Sequence, residues 1–412
     1  MKKWIRGRCG NGAKGFSLFT LAGGLISSNP LVSTTKSDIL VIGGGVVGLS
    51  IARELRRRGA GRVTVIDRGR CGEEASWAAA GMLAPNAETH EDGPFFQFCT
   101  ASNALYPDFA AQLLEETDVD IELDRTGTLF LSFVEGDDRV ISEKYEWQRD
   151  AGIVVERLTS DDVRRLEPEV SGSVRGGLLY HGDWQVENRK LVQALRRSCE
   201  LRGVSIREGF EATEFLSEGH RIIGIRTLVG EISADTVVVA NGSWACGLLG
   251  GSAIKPIRGQ MISLGRGSGR VVEHVIYSSR GYVVPRADGR VLVGATVEDV
   301  GYRKEVMPEA IEELRDAALE IAPALGNFDI KEAWSGLRPF AADGLPVIGW
   351  VPGCEGLFMA TGHFRNGILL APITGAIAAD AITVGVGSEY LEAFSPERFF
   401  SASEGAAVSN RV

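Results

Sequence analysis

The chain has 412 residues, 44% hydrophobic, 24% charged and 8% aromatic, which supplies cores for two or three domains and excludes a disordered, fibrous or polytopic membrane protein. A formal charge of −10 excludes nucleic acid as the main partner, because neutralising phosphates needs a basic face. Six cysteines and five histidines are scattered without CxxC, HxxxH or HExxH spacing, so no disulfide framework and no metal are expected, and the cysteines read as reduced thiols.

Residues 1–37 form a basic arm with Lys2, Lys3, Arg6, Arg8, Lys14 and Lys36 and no acid. The apolar stretch Phe16–Ile26 inside it follows the order of a targeting signal, yet lacks an A-x-A site and is too short for the roughly twenty residues that cross a bilayer. The arm is expected to be disordered or targeting and to stay outside the fold. The body is expected to be cytoplasmic, with the arm leaving a targeting peptide open.

From Asp38 the pattern changes. Asp38–Ile42 is a continuous apolar run, the mark of a strand buried on both faces of a parallel sheet. Gly43-Gly-Gly45-Val46-Val47-Gly48 follows, then an apolar helical face through Leu55 that stops at Arg56-Arg57-Arg58-Gly59, and a second strand, Arg62–Ile66, that ends on Asp67. In such a βαβ unit Gly43 allows the tight turn, Gly45 admits a pyrophosphate to the helix N-terminus, and Gly48 lets helix and strand pack closely. Asp67 stands where an acid accepts hydrogen bonds from a ribose diol, so the spacing predicts a dinucleotide and leaves FAD and NAD open. The 52 glycines fit many close backbone approaches of this kind.

Further along, Lys190–Cys199 reads as an amphipathic helix, and Val204–Ile206 and Ala234–Ala240 as strands of the same sheet. Tyr282–Pro285 and Val291–Val293 flank Asp288-Gly289 and predict a hairpin in a second, antiparallel region. Gly356–Ala360 reads as another buried strand, Thr361–Leu370 as a loop, and Pro372–Val384 as a helix with proline in its first turn.

Four segments together resemble the D-amino-acid oxidase group of FAD enzymes, most closely glycine oxidases of the thiamine-pathway type. They are Val41–Asp67, Glu74–Leu83 with its AAAGML string, Trp334–Pro339, and Gly362–Pro372, GHFRNGILLAP. The resemblance implies an α/β fold: a discontinuous Rossmann-like FAD-binding domain (38–84, 171–240 and 335–390) and a mixed or antiparallel-sheet α+β substrate domain (85–170 and 241–334). It implies noncovalent FAD, since no cysteine lies in Trp334–Ile348. Dioxygen is the implied acceptor, a small amino acid the substrate, and a homo-oligomer, by family a homotetramer, the assembly.

Carried over residue by residue, Val46 and Val47 would meet the pyrophosphate, Asp67 and Arg68 the adenosine ribose, and Ala75 and Ser76 the phosphate side. Ala80, Gly81 and Met82 would lie along the isoalloxazine. Ala212, two residues after Phe210 in the third strand of the FAD domain, would contact adenine through its backbone. His363, Phe364, Arg365, Asn366, Gly367, Ile368 and Leu369 would wrap the flavin's pyrimidine end. Arg338 matches the carboxylate-binding arginine, Tyr282 a pocket tyrosine, and Arg365 a second arginine; Ala84 and Val297 match positions lining a small apolar cavity. The implied reaction is oxidative deamination of glycine, sarcosine or a small D-amino acid such as D-alanine to a 2-oxo acid, ammonia and hydrogen peroxide, with the glycine imine as thiazole precursor. Competing readings are a flavin dehydrogenase passing electrons to a partner or membrane acceptor, and a noncatalytic flavin subunit, against which the retained arginines and tyrosine speak. The run Asp183–Asn188 departs from the family's acid-proline ending.

Overall fold

A computed structural model of the protein describes residues 35–89, 91–250, 253–265 and 269–400, so the expectations for the basic arm fall outside the described residues up to residue 34, while residues 35–37, expected in the arm, instead open the first strand and pair with Ile232, Ser233 and Ala234. The strands in chain order are β1 (Thr35–Ile42), β2 (Val63–Asp67), β3 (Met82–Leu83), β4 (Thr128–Ser132), β5 (Glu156–Thr159), β6 (Gly176–Tyr180), β7 (Trp184–Gln185), β8 (Ser205–Glu208) and β9 (Ala212–Glu218). They continue with β10 (Arg221–Thr227), β11 (Gly230–Val239), β12 (Ile254–Gly265), β13 (Val275–Ser278), β14 (Gly281–Pro285), β15 (Val291–Gly294), β16 (Asp329–Ala341), β17 (Val347–Trp350) and β18 (Leu357–Thr361). The helices used below are α1 (Val46–Arg57), α2 (Ala75–Ala78), α3 (Pro85–Glu88), α4 (Pro94–Thr117), α5 (Glu135–Asp150), α6 (Ser160–Leu166), α7 (Asn188–Leu201), α8 (Ala245–Leu249), α9 (Pro308–Ile321) and α10 (Gly367–Thr383).

One sheet has the order β17-β18-β11-β1-β2-β8, with β10 and β9 added as a meander on β11. Strands β8, β2, β1, β11 and β18 run parallel. β1 is apolar throughout because both its faces are covered: Ile39 and Val41 pack against α1, α4, α7 and α10, while Leu40 and Ile42 pack on the side of β9, β10 and α8. The other sheet has the order β16-β12-β15-β14-β13-β4-β6-β5 and is largely antiparallel. One of its faces is sealed by α9 through Leu314, Ala318 and Ile321.

The βαβ unit, the Asp288-Gly289 hairpin and the strand at Gly356–Ala360 form as the residue pattern predicts. Three details differ. Ala212 opens β9, beyond a turn at Gly209 (φ +79°), and β9 pairs with β10 rather than serving as the third parallel strand, which is β8. The segments 171–240 and 335–390 each begin inside the second sheet, since β6 pairs with β4 and β5, and β16 pairs with β12 as far as Ala341. Finally, α10 starts at Gly367, so Pro372 lies within it and Gly367–Leu370 is helix, not loop.

Proline inside a helix leaves the carbonyl four residues earlier without its donor. Here that carbonyl belongs to Ile368, and the buried Tyr106 hydroxyl of α4 donates to it, while Ser102 Oγ of the same helix donates to Leu369 O at 2.6 Å. Packing against α4 therefore lets the helix run through its proline. Tyr106→Phe should destabilise the fold by about 1–3 kcal/mol, the usual cost of stranding a buried acceptor, whereas in Pro372→Ala, where a backbone N–H returns, the same tyrosine change should cost less. Urea denaturation of the two single variants and the double variant checks this coupling.

Candidate active site

The turn between β1 and α1 is shaped by what its glycines touch. Gly43 (φ +106°) has Ala240 O only 2.5 Å from where a side chain would begin, and at Gly48 the Gly43 carbonyl is 2.0 Å from that point. Neither position admits a Cβ. Gly45 stands at the N-cap of α1 and has no side chain to cap it, and the helix has no acid in its first turn. An uncapped helix N-terminus reached only across glycine fits a pyrophosphate. The Val46 amide donates to Ser76 Oγ (2.9 Å), which ties this turn to α2. Asp67 closes β2 with Oδ2 accepting from Gly44 N (2.8 Å) and Oδ1 from Gly69 N (2.9 Å); burial raises its pKa from the ordinary carboxylate value. Arg68 stacks on the Trp244 ring at 3.6 Å and pairs with Glu74 at 2.7 Å.

The stretch from Ala75 to Leu83 joins the two sheets. Asn188 Nδ2 donates to the carbonyls of Ser76 (2.8 Å) and Trp77 (3.0 Å), and Trp334 Nε1 to that of Ala78 (3.0 Å). Buried Arg286 donates to Ala80 O (2.8 Å), Val186 O (2.9 Å) and Gln185 Oε1 (3.0 Å), with Glu187 as its counter-ion at 3.3 Å. Gly81 (φ +73°) accepts from Val186 N, and Met82-Leu83 pairs with Trp184-Gln185. The departure noted at Asp183–Asn188 thus has a structural reading: Gln185, Glu187 and Asn188 are the groups that hold this peptide in place.

Strand register lines up the rest. Phe130, Tyr277, Tyr282, Gly294, Met261 and Trp334 are direct partners across β4, β13, β14, β15, β12 and β16. Alternation along β16 puts Gly336 and Arg338 on the same face as Trp334. Ala78, Ala80 and Met82 pack on that face with Met261, Tyr282 and Trp334. Arg338 lies over Gly259, whose Cβ would fall 2.2 Å from its guanidinium. It donates to Thr296 O (3.0 Å) and Arg258 O (3.4 Å) and has Tyr282 as its nearest polar side-chain neighbour, but no salt bridge. Burial accordingly lowers its pKa, and burial pushes the Tyr282 hydroxyl up to about 12. A half-buried guanidinium that meets carbonyls and a hydroxyl, with no salt bridge among the described residues, has donors left that fit an anion.

Arg365, in the loop before α10, donates to Tyr277 Oη (3.1 Å) and sits 3.3 Å from Glu88 Oε2, and this acid raises its pKa. The structure therefore brings Arg338, Tyr282 and Arg365 together. It adds Tyr277 and Glu88, which no local motif marks; only their strand and helix positions reveal them. Ala84 is buried at the start of α3, whereas Val297 is 65% exposed. His363 is buried with Nε2 3.1 Å from Thr374 Oγ1, and burial lowers its pKa to about 4, so it stays neutral near pH 7. Phe364 takes a left-handed φ of 48° while its amide donates to Pro339 O. Asn366 caps α10 without a side-chain hydrogen bond, and the first turn of that helix holds no acid.

Residues 38–381 match the family described as FAD dependent oxidoreductase. The chain belongs to that family. Its FAD dependence follows, and the two helix N-termini without an acid in their first turns are consistent with it. The chain is 37% identical over 382 residues to the bifunctional protein ThiO/ThiG of Synechocystis, covering 92% of this chain and 56% of that one. It thus spans about half the length of these bifunctional relatives. A glycine oxidase of Bacillus licheniformis is 34% identical over 370 residues, 88% of this chain and 98% of its own. The crystal structure of glycine oxidase from Geobacillus kaustophilus superimposes with a TM-score of 0.85 at 32% identity, covering 89% of this chain and all of that one. Among the described residues no helix is long and apolar enough to cross a membrane.

The neutral His363 of this oxidoreductase carries a pH signature. Its proton is bound less readily in the folded than in the unfolded chain, where histidine titrates near 6.5, so its contribution to stability is complete above pH 6.5 and is lost as pH falls towards 4. Between pH 7 and pH 4.5 the native protein should lose about 2 kcal/mol more than His363→Gln, as read from urea midpoints at the two pH values.

Proposed function

We propose that the protein is an FAD-dependent oxidase that deaminates glycine, and small relatives such as sarcosine or D-alanine, to a 2-oxo acid, ammonia and hydrogen peroxide. The observation that supports this reading is the half-buried guanidinium of Arg338, which has no salt bridge among the described residues and lies on the face that also packs Ala80 and Met82. In this reading the first sheet with α1 and α10 forms the FAD domain, and the second sheet, including β6 and β16, forms the substrate domain. Val46 and Val47 at the start of α1 would receive the pyrophosphate, Asp67 and Arg68 the ribose, and Ala80–Met82 with His363–Leu369 would flank the isoalloxazine. FAD held there would supply a hydride acceptor for the substrate α-carbon, with dioxygen as the final two-electron acceptor.

The protein's own part is positioning. Arg338 grips the α-carboxylate through two parallel hydrogen bonds, with Tyr282 supporting it, so the α-carbon is presented in one orientation. Ala84, small, apolar and buried, fits a small group at that carbon, whereas Val297, 65% exposed, is not used in this reading; a pocket that excludes one methylene discriminates by about 1–3 kcal/mol. No side-chain base is assigned, because a neutral substrate amine supplies the lone pair and His363 is engaged with Thr374. Supply of the glycine imine to the thiazole of thiamine follows from the family resemblance, and the relatives named ThiO/ThiG favour it.

Arg338→Ala should keep its flavin yet lose glycine turnover by about a hundredfold or more, and Arg338→Lys should recover only part of it, since an ammonium cannot reproduce the fork. Oxygen-uptake kinetics measure both; near-native glycine kinetics in the alanine variant would remove the basis of the assignment. Acid or heat denaturation should release the flavin into the supernatant, because no cysteine lies in residues 334–348 to hold it covalently. Flavin absorbance remaining on the precipitated chain would refute that expectation.

A further inference from the structure

The two guanidiniums on the substrate face are treated differently. Arg338 meets carbonyls and a hydroxyl, whereas Arg365 is paired with Glu88. The Glu88 side chain is 10% exposed, and its Oε2, 3.3 Å from Arg365, is buried without a well-aligned hydrogen bond. Its position is enforced from outside the site. Glu88 ends the four-residue helix α3, whose Asn86 and Ala87 amides donate to fully buried Asp183 (3.2 and 2.7 Å). Lys144 of α5 donates to Thr89 O just beyond the helix, and Gln148 Nε2 to Asn86 O at 2.8 Å.

The charges therefore add up in a definite way. Beneath α3, outside the site, burial pushes the pKa of Asp183 up to about 7 and that of Lys144 down to about 8; His363 is neutral, and the site proper holds Arg338, Arg365 and Glu88, a net single positive charge. An amino acid with a neutral amine and one carboxylate balances it. An amino dicarboxylate would bring one anion too many into a desolvated space, where an unmatched charge is costly.

Building on the reading of the site as an amino-acid pocket, we propose that Glu88 sets the charge class of the substrate: by occupying Arg365 it restricts the site to amino monocarboxylates. Without the acid, Arg365 becomes a second carboxylate clamp. Glu88 is then a specificity residue, and Asp183, Lys144 and Gln148 are positioning residues that act through it.

The test uses holoprotein and follows the flavin absorbance on titration with acetate and with malonate. Glu88→Gln should tighten malonate relative to acetate by about tenfold or more, and the kcat/KM ratio of iminodiacetate to glycine should move the same way. A reciprocal pair guards against misfolding of that variant. Arg365→Met, which leaves Glu88 unpaired, should weaken acetate by about tenfold, and Glu88→Gln added to it should bring acetate back to within about threefold of native with no gain for malonate. A malonate-to-acetate ratio unchanged in Glu88→Gln, equal acetate affinity in the Arg365→Met single and double variants, or a native protein that binds neither anion would each overturn the proposal. Because the titration needs no turnover, a protein that shows the predicted ratios but does not oxidise glycine would refute the oxidase reading alone.

Discussion

A half-buried guanidinium without a salt bridge among the described residues governs how the second sheet is built. Burial of a charge costs several kcal/mol unless hydrogen bonds replace its water. Arg338 gets carbonyl acceptors from Thr296 and Arg258 and the neighbourhood of Tyr282, and it gets space because residue 259, directly beneath it, has no side chain. Gly336 similarly admits Ala78, whose Cβ lies 2.5 Å from where a side chain at 336 would start, and Gly294 leaves room for the Tyr282 ring. Strand register puts all of these on one face. The cost of an under-paired cation is therefore confined to the face on which the proposed substrate carboxylate would offset it.

The other face of that space is a peptide, Ala75–Leu83, with little regular structure of its own. It is held by side chains that reach in from both neighbours: Asn188 at the head of α7, Arg286 from the hairpin turn, and Trp334 from β16. Glu187 offsets Arg286 and Arg290. Because the same residues hold Ser76, which in turn holds the Val46 amide, the turn at α1 and the face of the second sheet are placed by one connected network. A change in this network is felt at both ends.

Helix α10 extends the theme of borrowed hydrogen bonds. Its proline would end a solitary helix, but Tyr106 and Ser102 of α4 supply donors, and Gly375 lets its backbone approach Ser50 of α1 to van der Waals distance. That close crossing brings two helix N-termini, neither with an acid in its first turn, towards the carboxyl ends of the parallel strands.

The features legible from the chain alone are those that depend on near neighbours. The turn Gly43–Gly48, the strand ending on Asp67, the Asp288-Gly289 hairpin and the GHFRNG string all announce themselves within a few residues, because turn geometry and helix capping are local. Arg338 and Arg365 were singled out through the strings around them, and Tyr282 through its match to a family position in the hairpin. What only the tertiary structure decided are properties of distant contacts: that Glu88 neutralises Arg365 while Arg338 stays unpaired, that Asp183 and Lys144 brace α3, that a proline is carried inside α10, and that His363 is kept neutral. Each depends on burial and on which charge lies opposite, and both quantities come into being when residues hundreds of positions apart are brought to one face.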